Sequence, residues 1–418
     1  MDASANPHQP TDDALLIRNA RVLTLGESPW PRRGHALGDL SVVERADVLC
    51  QNGIVRAVGP DLDAPPGARE IEADGRVLMP AFVDCHTHLC WAGSRIDEWE
   101  KRLAGATYLE ILESGGGIMA TVRAVRAATI EQLAAALLDR LIRLLRAGTT
   151  TVEIKSGYGL STNHELKMLA AIDSAAGLWA GTIVPTALLG HAKDPDDPTF
   201  VQRTIDETLP AISQSHPGIT IDAFCEKGAW NLDETILLFE QARQRRHPLR
   251  VHADQFNSLG MTPAAIRLGA RSVDHLEAST DADLRALADS STFGVILPAC
   301  GFHLDNRYAR GRAFLDHNGL LAIATNANPG SAPCSSMPMA VALAVRACGL
   351  TPWEAIGAAT ANAAALLGFT DRGVIVHNAK ADLILLCHRD ERALAYEFGE
   401  DPVDMVVCDG RIVREPIA

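Results

Sequence analysis

The sequence predicts an α/β protein in which a (β/α)₈ TIM-like barrel is joined to a small composite β-sandwich domain. Three observations support this prediction. Strand patterns alternate with helix patterns over roughly 250 residues in the middle of the chain, which is typical of parallel strands with crossover helices. Short strands with tight turns occupy both ends. Polar residues able to do chemistry follow several of the middle strands, where barrel active sites assemble.

The N-terminal part of the chain has the pattern of short β strands. Residues 14–25 form one predicted strand. Residues 46–59 form two strands, joined by the hairpin signal Asn52-Gly53. A further strand is predicted over residues 70–78. Two stretches lack a strand pattern, and we predict a loop over residues 28–45 and a mobile tail over residues 1–13.

β character returns at the C-terminus. Residues 381–387 and 402–413 are predicted strands, the second with a turn at Asp409-Gly410. We infer that these strands join the N-terminal ones, so that the barrel is an insertion between them. The predicted units are the tail (1–13), a composite β domain (14–78 plus 379–418) and the barrel (79–378).

The middle of the chain repeats one unit, a helix followed by a strand. Residues 130–146 have apolar side chains at helical spacing, Gly148 follows as a C-cap, and residues 149–154 form a predicted strand. Further predicted helices cover 163–176, 200–213, 232–245, 261–268 and 280–288, and further strands cover 181–187, 219–224, 249–253, 271–274, 293–297 and 320–325. This many units favour a closed barrel over an open doubly wound sheet. No G-x-G-x-x-G motif follows a strand, which weakens the dinucleotide-binding alternative.

Composition excludes several classes of function. The net charge of −14 argues against a nucleic-acid surface, but it leaves a small anionic substrate open because one arginine can bind a carboxylate. No uninterrupted apolar run approaches about 18 residues, so no membrane span is indicated, and we expect no membrane among the partners. The N-terminus lacks the order of a secretory signal. Nine cysteines, widely spread and without C-x-x-C, fit reduced thiols in a cytoplasm.

The most informative stretch is residues 77–88, VLMPAFVDCHTH, an apolar run that ends in a carboxylate and two histidines. Side chains two apart on a strand point the same way. If a strand runs from Phe82 to His88, then His86 and His88 project together at its end and can share a metal ion. The spacing alone is weak support, because a buried strand with two incidental histidines has the same pattern.

Other predicted strands also end in polar residues. These residues include Glu153, His191, His252, Asp274, His275 and Asn326. Each one alone is more often a packed or hydrogen-bonded residue than a functional one, and their joint placement is what indicates a site. Three neutral imidazoles holding one cation leave open positions for water, so the pattern favours metal-assisted hydrolysis.

At these residues the chain resembles the amidohydrolase superfamily and, more narrowly, the imidazolonepropionase family. The resemblance spans nearly the whole chain. Its most specific segments are 82–88 (FVDCHTH), 102–108 (RLAGATY), 115–118 (GGGI), 121–124 (TVRA), 153–160 (EIKSGYGL), 222–226 (DAFCE), 252–255 (HADQ), 273–277 (VDHLE) and 328–330 (NPG). H-x-H is shared across the superfamily, whereas K-S-G-Y-G-L, A-F-C-E and N-P-G are much narrower.

The resemblance implies hydrolytic ring opening of 4-imidazolone-5-propanoate to N-formimidoyl-L-glutamate in histidine degradation. It implies one divalent or trivalent metal ion, zinc or iron, held by His86, His88, His252 and Asn326. It places Arg95, Tyr158, His191, Gln255, Asn328, Gly330 and Ser331 on the substrate. His275, Gln255 and Asn326 are then the catalytic candidates, and His275 would orient the water or move its proton. Lys155 is expected in an internal ion pair rather than as a carbamylated lysine that bridges two metal ions. For the oligomeric state we expect a homodimer, the common default for soluble enzymes of this kind.

One departure from the family pattern concerns Asn326, where the family has aspartate. An asparagine oxygen can still approach a metal, but the amide is not a useful base. Three accounts stay open. The asparagine is an engineered substitution, or it belongs to a natural protein with weakened or altered activity, or His275 takes over as the base. A deaminase or another cyclic-amide hydrolase is one alternative, against which Arg95, Tyr158 and N-P-G argue. A non-catalytic binding protein is the other, and only Asn326 supports it.

Overall fold

A computed structural model describes residues 14–26, 30–106, 110 and 116–416. In chain order its elements are β1 (Ala14–Leu23), a 3-10 helix (Gly34–Gly38), β2 (Val42–Gln51), β3 (Ile54–Gly59), β4 (Arg69–Glu72), β5 (Val77–Pro80), β6 (Phe82–Asp84), α1 (Ile96–Leu103), α2 (Ile118–Ala127), α3 (Ile130–Arg146), β7 (Thr149–Lys155), α4 (Thr162–Ala176), β8 (Thr182–Gly190), α5 (Phe200–Arg203), a π turn (Thr204–Thr208), α6 (Leu209–Ser215), β9 (Thr220–Cys225), α7 (Leu232–Gln244), β10 (Leu249–Ala253), α8 (Met261–Leu268), β11 (Ser272–His275), α9 (Asp281–Ala288), β12 (Phe293–Ile296), α10 (Pro298–Leu304), α11 (Gly311–Asp316), β13 (Leu321–Ile323), α12 (Met337–Ala347), α13 (Pro352–Ala359), α14 (Ala361–Leu366), β14 (Leu383–Leu386), α15 (Ala393–Tyr396), β15 (Val403–Cys408) and β16 (Arg411–Arg414).

The two ends of the chain share one mixed sheet, in the order β16-β15-β14-β5-β1-β2-β3, with β4 also paired to β1. Strand β5 lies at its centre. It pairs in parallel with β1, where Arg21 is opposite Val77, and antiparallel with β14, where Ile384 is opposite Met79. Apolar side chains from both ends, including Ile17, Val48 and Leu385, form one buried cluster. The N- and C-terminal strands therefore depend on each other for burial.

The middle of the chain forms eight parallel strands, β6 to β13, each next to its successor in the sequence. The first and last strands meet beyond their carboxyl ends, where Asn326 N donates to His86 O and His88 N donates to Ala327 O, each at 3.0 Å. Several crossover helices begin with capping boxes, as in α3, where Thr129 and Gln132 bond each other's backbone. The predicted fold class is confirmed, while the exact domain boundaries stay a prediction.

The strand predicted from Phe82 to His88 is shorter than expected. The apolar run at residues 77–84 forms two short strands in different sheets, β5 and β6, with Ala81 between them. Strand β6 ends at Asp84, whose carboxylate accepts hydrogen bonds from Thr325 N at 3.1 Å and Thr325 Oγ1 at 2.5 Å. His86 and His88 therefore lie beyond the strand, held by the backbone of neighbouring segments.

Three smaller predictions differ from the structure or lie outside it. The predicted loop over residues 28–45 contains a 3-10 helix, and its last residues already belong to β2. The predicted tail over residues 1–13 and parts of two family segments, including Tyr108 and Gly115, lie outside the described residues. Within the described chain, every helix is too short or too polar to cross a membrane.

Candidate active site

Three buried histidines converge at the carboxyl ends of the barrel strands. His86 and His88 follow β6, and His252 lies in β10. One ring nitrogen from each lies within 4.8 Å of the other two. The Nε2 atoms of His88 and His252 are 3.2 Å apart. Nitrogens bound about 2.0–2.1 Å from one metal ion would have a similar separation, so this spacing suits shared ligands.

Two of these histidines are oriented by buried carboxylates. His86 Nδ1 is 2.7 Å from Asp274 Oδ2, and His252 Nδ1 is 3.1 Å from Asp222 Oδ1. Because a carboxylate only accepts hydrogen bonds, Nδ1 of each imidazole carries the hydrogen and donates it, and the lone pair of the ring is on Nε2. His86 Nε2 is buried without a hydrogen-bond partner among the described residues. A bound cation would satisfy it.

Burial keeps all three imidazoles neutral. It lowers the pKa of His86 and His88 well below 6.5, assisted by Lys155 and His191 respectively, and it lowers the pKa of His252. Neutral imidazole is the form that binds a metal ion. Together with the unsatisfied Nε2 of His86, this chemistry fits the metal ion that the fold family uses.

Asn326, the remaining predicted ligand, has a side-chain oxygen that could bind a metal ion. Its side chain is buried, and its Oδ1 has no hydrogen-bond partner among the described residues. The backbone at Asn326 has φ of 56°, a left-handed conformation that asparagine tolerates better than most residues. Its backbone N donates to His86 O at 3.0 Å, so the residue lies close to the metal-binding histidines, and its amide offers a neutral oxygen.

Lys155 lies in an internal ion pair, as the sequence predicted. Its Nζ is 2.6 Å from Glu153 Oε1 and 2.8 Å from Asp222 Oδ2, and all three side chains are fully buried. Burial opposes ionisation of Asp222, but His252 and Lys155 outweigh it and hold its pKa well below the usual value. The lysine thus keeps charged the carboxylate that orients His252.

The hydrogen bond from His86 to Asp274 gives a testable effect on metal affinity. Replacement Asp274→Asn removes the charge that makes His86 a better ligand, so we expect metal affinity to fall about 10- to 100-fold. Competition with a chelator of known affinity measures it. Asp173→Asn, an exposed substitution on α4, is the control and should leave the affinity unchanged. Equal affinity in Asp274→Asn and the parent protein would contradict the orienting role.

Tyr158 and His191 form one wall of the site. His191 stacks against His88, with ring centroids 5.0 Å apart and an interplanar angle of 23°, and Tyr158 lies 4.9 Å from His191. Gly157 O accepts a hydrogen bond from His191 Nδ1 at 3.0 Å. Desolvation beside His252 lowers the pKa of His191 to about 3, and burial raises the pKa of Tyr158, so both rings are neutral.

The turn that presents Tyr158 is held by a residue that sequence reasoning missed. The carboxylate of Glu165, in the first turn of α4, accepts hydrogen bonds from the backbone N of Gly157 at 2.8 Å, Gly159 at 2.7 Å and Leu160 at 2.9 Å. Gly157 has φ of 112°, which a residue with a Cβ rarely adopts. Glu165 lies just outside the K-S-G-Y-G-L segment, so nothing in the motif indicated its role.

The N-P-G segment forms a turn at the mouth of the barrel. Asn328 Oδ1 accepts hydrogen bonds from Gly330 N at 2.8 Å and Ser331 N at 2.7 Å, and its Nδ2 donates to Asn326 O at 2.6 Å. A Cβ on Gly330 would lie 2.2 Å from Arg95 Nη1. Glycine therefore allows the guanidinium to lie directly against this turn.

Arg95 and Gln255 also reach this region. The guanidinium of Arg95 contacts Glu98 Oε2 at 2.6 Å, and both side chains are mostly buried. Gln255, after β10, donates from Nε2 to Cys300 Sγ at 3.3 Å. His275 ends β11, with its ring 5.7 Å from that of His252. The rings of Tyr158, His191 and His275 thus lie close to those of the predicted histidine ligands. The turn at Asn328 contacts Asn326 on one side and Arg95 on the other.

Several residues that organise the site were named in family segments without a role. These are Asp222, Asp274 and Glu277, to which Glu165 and the buried Arg250 must be added. Arg250 donates to Asp274 Oδ2 at 2.7 Å. The only signal in the sequence was that the three acidic residues lie beside or within predicted strands.

Comparisons with known proteins show which family has a similar sequence. The model of the amidohydrolase family matches residues 77–413. A protein of Herpetosiphon aurantiacus called imidazolonepropionase is 43% identical over 97% of this chain and 98% of its own. One of Deinococcus radiodurans with the same name is 42% identical over 91% and 95%.

Solved structures share the fold at low sequence identity. A triazine hydrolase variant matches with a TM-score of 0.76 at 20% identity, covering 96% of this chain and 95% of its own. The 5-methylcytosine deaminase of Klebsiella pneumoniae matches with a TM-score of 0.72 at 16% identity, covering 96% and 98%. The deaminase and the hydrolase thus have this fold in common. The chain belongs to the amidohydrolase family and, within it, to the imidazolonepropionases.

Proposed function

We propose that the protein hydrolyses 4-imidazolone-5-propanoate to N-formimidoyl-L-glutamate, a ring opening in histidine degradation. The observation that supports this most strongly is the combination of three buried, neutral imidazoles with a guanidinium against the N-P-G turn. The imidazoles suit a hydrolytic metal site, and the guanidinium suits a carboxylate. Relatives of the same name at about 40% identity support the same substrate.

The metal ligands in this proposal are His86, His88 and His252, with Asn326 as a further oxygen donor. When bound, zinc or iron would lower the pKa of a water molecule and polarise the carbonyl group under attack. Imidazole donors suit both metals, so the donor set leaves the choice between them open.

The substrate would lie between the wall formed by Tyr158 and His191 and the N-P-G turn. Arg95 binds the propanoate carboxylate through its fork of N–H donors, because guanidinium and carboxylate match in shape. Tyr158 and His191 contact the ring from one side. Gln255, Asn328, Gly330 and Ser331 contact the ring and the rest of the substrate. His275 accepts the proton of the attacking water and returns it to the ring nitrogen when the carbon–nitrogen bond breaks.

A direct assay tests the function. The metal-loaded protein is mixed with freshly prepared 4-imidazolone-5-propanoate, and loss of the ring is followed by absorbance with the product identified by mass spectrometry. We expect ring opening to N-formimidoylglutamate. A cyclic ureide and an aminopurine serve as comparison substrates. Turnover of either, with none of the imidazolone, would support another cyclic-amide hydrolase or a deaminase instead.

Removal of the guanidinium should weaken binding of the substrate. Replacement Arg95→Ala deletes a charged hydrogen-bond partner, so we expect KM to rise by the equivalent of about 1.5–3 kcal/mol. Steady-state kinetics measure the change. Arg285→Ala removes an arginine whose side chain is 64% exposed on α9, and it should leave KM unchanged. An unchanged KM in Arg95→Ala would exclude this residue as the carboxylate anchor.

Two further properties belong to the same proposal. We place the enzyme in a cytoplasm, because its nine cysteines are free thiols and seven of them are buried. We expect a homodimer, the commonest assembly of soluble enzymes, with a small anionic imidazolone as its partner molecule. Light scattering of the metal-loaded protein measures the oligomeric state.

A further inference from the structure

The end of strand β11 has an unusual backbone. His275 has φ of 97° and the next residue, Leu276, has φ of 72°, although neither is glycine. Such conformations are unfavourable for residues with a Cβ and persist only where neighbouring structure imposes them. Here the following loop is tied to the end of β10, because Ala278 N donates to Asp254 O at 2.6 Å and Ser279 Oγ donates to Asp254 Oδ2 at 2.8 Å.

This bend brings Glu277 back onto the ring of His275. Glu277 Oε1 lies 3.2 Å from His275 Nδ1, and the two side chains are only 5% and 3% exposed. Among the described residues, Glu277 has no arginine or lysine within ion-pair distance, and its Oε2 lacks a hydrogen-bond partner. A buried carboxylate without a cation is costly, so a purely structural role would be better served by a neutral side chain.

The contact determines which nitrogen of His275 is free. A carboxylate is an acceptor only, so His275 Nδ1 donates to Glu277 and the lone pair of the ring is on Nε2. The contacts of His86 and His252 with Asp274 and Asp222 follow the same pattern. His275, however, lies outside the cluster of His86, His88 and His252, and groups instead with Glu277 and Cys300. Its free nitrogen is therefore available to a water molecule or the substrate.

We propose that Glu277 is a positioning residue for catalysis, which fixes the tautomer and orientation of His275. This proposal rests on the hydrolase function proposed above. It gains importance from Asn326, because an amide at that position cannot accept a proton and leaves His275 as the base of the site. Glu277 then does for the base what Asp222 and Asp274 do for two of the metal-binding histidines.

A double-mutant cycle on the zinc-loaded enzyme tests the proposal. Glu277→Ala should lower kcat about 100-fold, the lower end of what a general base contributes, with KM and zinc content unchanged. Glu277→Asp should recover part of the loss. In a His275→Ala background, Glu277→Ala should lower kcat little further. Glu397→Ala, which removes a half-exposed carboxylate from His388 Nε2 at 3.1 Å, is the matched control and should have no effect.

A measurement without substrate separates this proposal from the function. In zinc-loaded protein with ¹⁵N-labelled histidine, NMR should show His275, assigned by its loss in His275→Gln, as the Nδ1–H tautomer. Glu277→Ala should shift it toward Nε2–H. An unchanged tautomer, or an equal loss of kcat with and without His275, would overturn the positioning role. An enzyme that does not open the imidazolone, but shows the tautomer shift, would contradict only the proposed function.

Discussion

Replacement Asn326→Asp is expected to raise kcat for ring opening by about 10²–10⁴, the contribution of a well-placed general base. The change adds one charge and no bulk. The buried Oδ1 of Asn326 has no hydrogen-bond partner among the described residues, so a carboxylate there would be free to accept a proton from water. The measurement is kcat at saturating 4-imidazolone-5-propanoate, at equal metal content.

The matched control for this prediction is Asn378→Asp. Asn378 also has a left-handed backbone, with φ of 67°, but it is exposed and lies in the loop before β14. Its substitution should leave kcat unchanged. If Asn326→Asp is fully loaded with metal and still no faster than the parent protein, position 326 does not limit the reaction. The His275–Glu277 pair would then be a sufficient base.

Replacement Lys155→Met is expected to destabilise the protein by about 3–5 kcal/mol, because it leaves buried carboxylates without their cation. Lys155 Nζ lies within 2.8 Å of both Glu153 and Asp222, in a fully buried pair network. Arg250 Nη1, 3.5 Å from Glu153 Oε1, compensates only part of the charge. The midpoint of chemical denaturation of the metal-loaded protein measures the loss.

A surface ion pair provides the comparison for Lys155. Lys193 Nζ is 2.7 Å from Glu234 Oε1, but the side chains are 36% and 24% exposed. Lys193→Met should therefore cost no more than about 1 kcal/mol. Similar destabilisation by the two substitutions would mean that Lys155 acts as packing volume rather than as a buried counter-ion.

The sequence was most informative where a local pattern and a motif agreed. Helix and strand periodicity predicted the barrel, and H-x-H predicted a pair of histidines that the structure brings to His252. Strand β6 was overestimated because an apolar run does not reveal where a side chain such as Asp84 ends the pairing. The assigned roles of the site residues stay predictions until the variants are measured.

The supporting carboxylates could not be predicted for a different reason. Glu165 acts on a turn several residues before it, and Asp222 and Asp274 act on histidines of other strands. Such contacts arise from the closure of the barrel and have no local signature in the chain. The tight fit of Arg95 against Gly330 is likewise a three-dimensional property, visible only once α1 and the N-P-G turn are side by side.

The central position of β5 has a consequence for synthesis of the protein. One edge of β5 pairs with β1, which precedes it in the chain, while the other must wait for β14, which is made only after the whole barrel. An unpaired strand edge is a template for association with other chains. A nascent or truncated polypeptide that ends before Leu383 therefore exposes one unpaired edge of β5, and only the synthesis of β14 covers it.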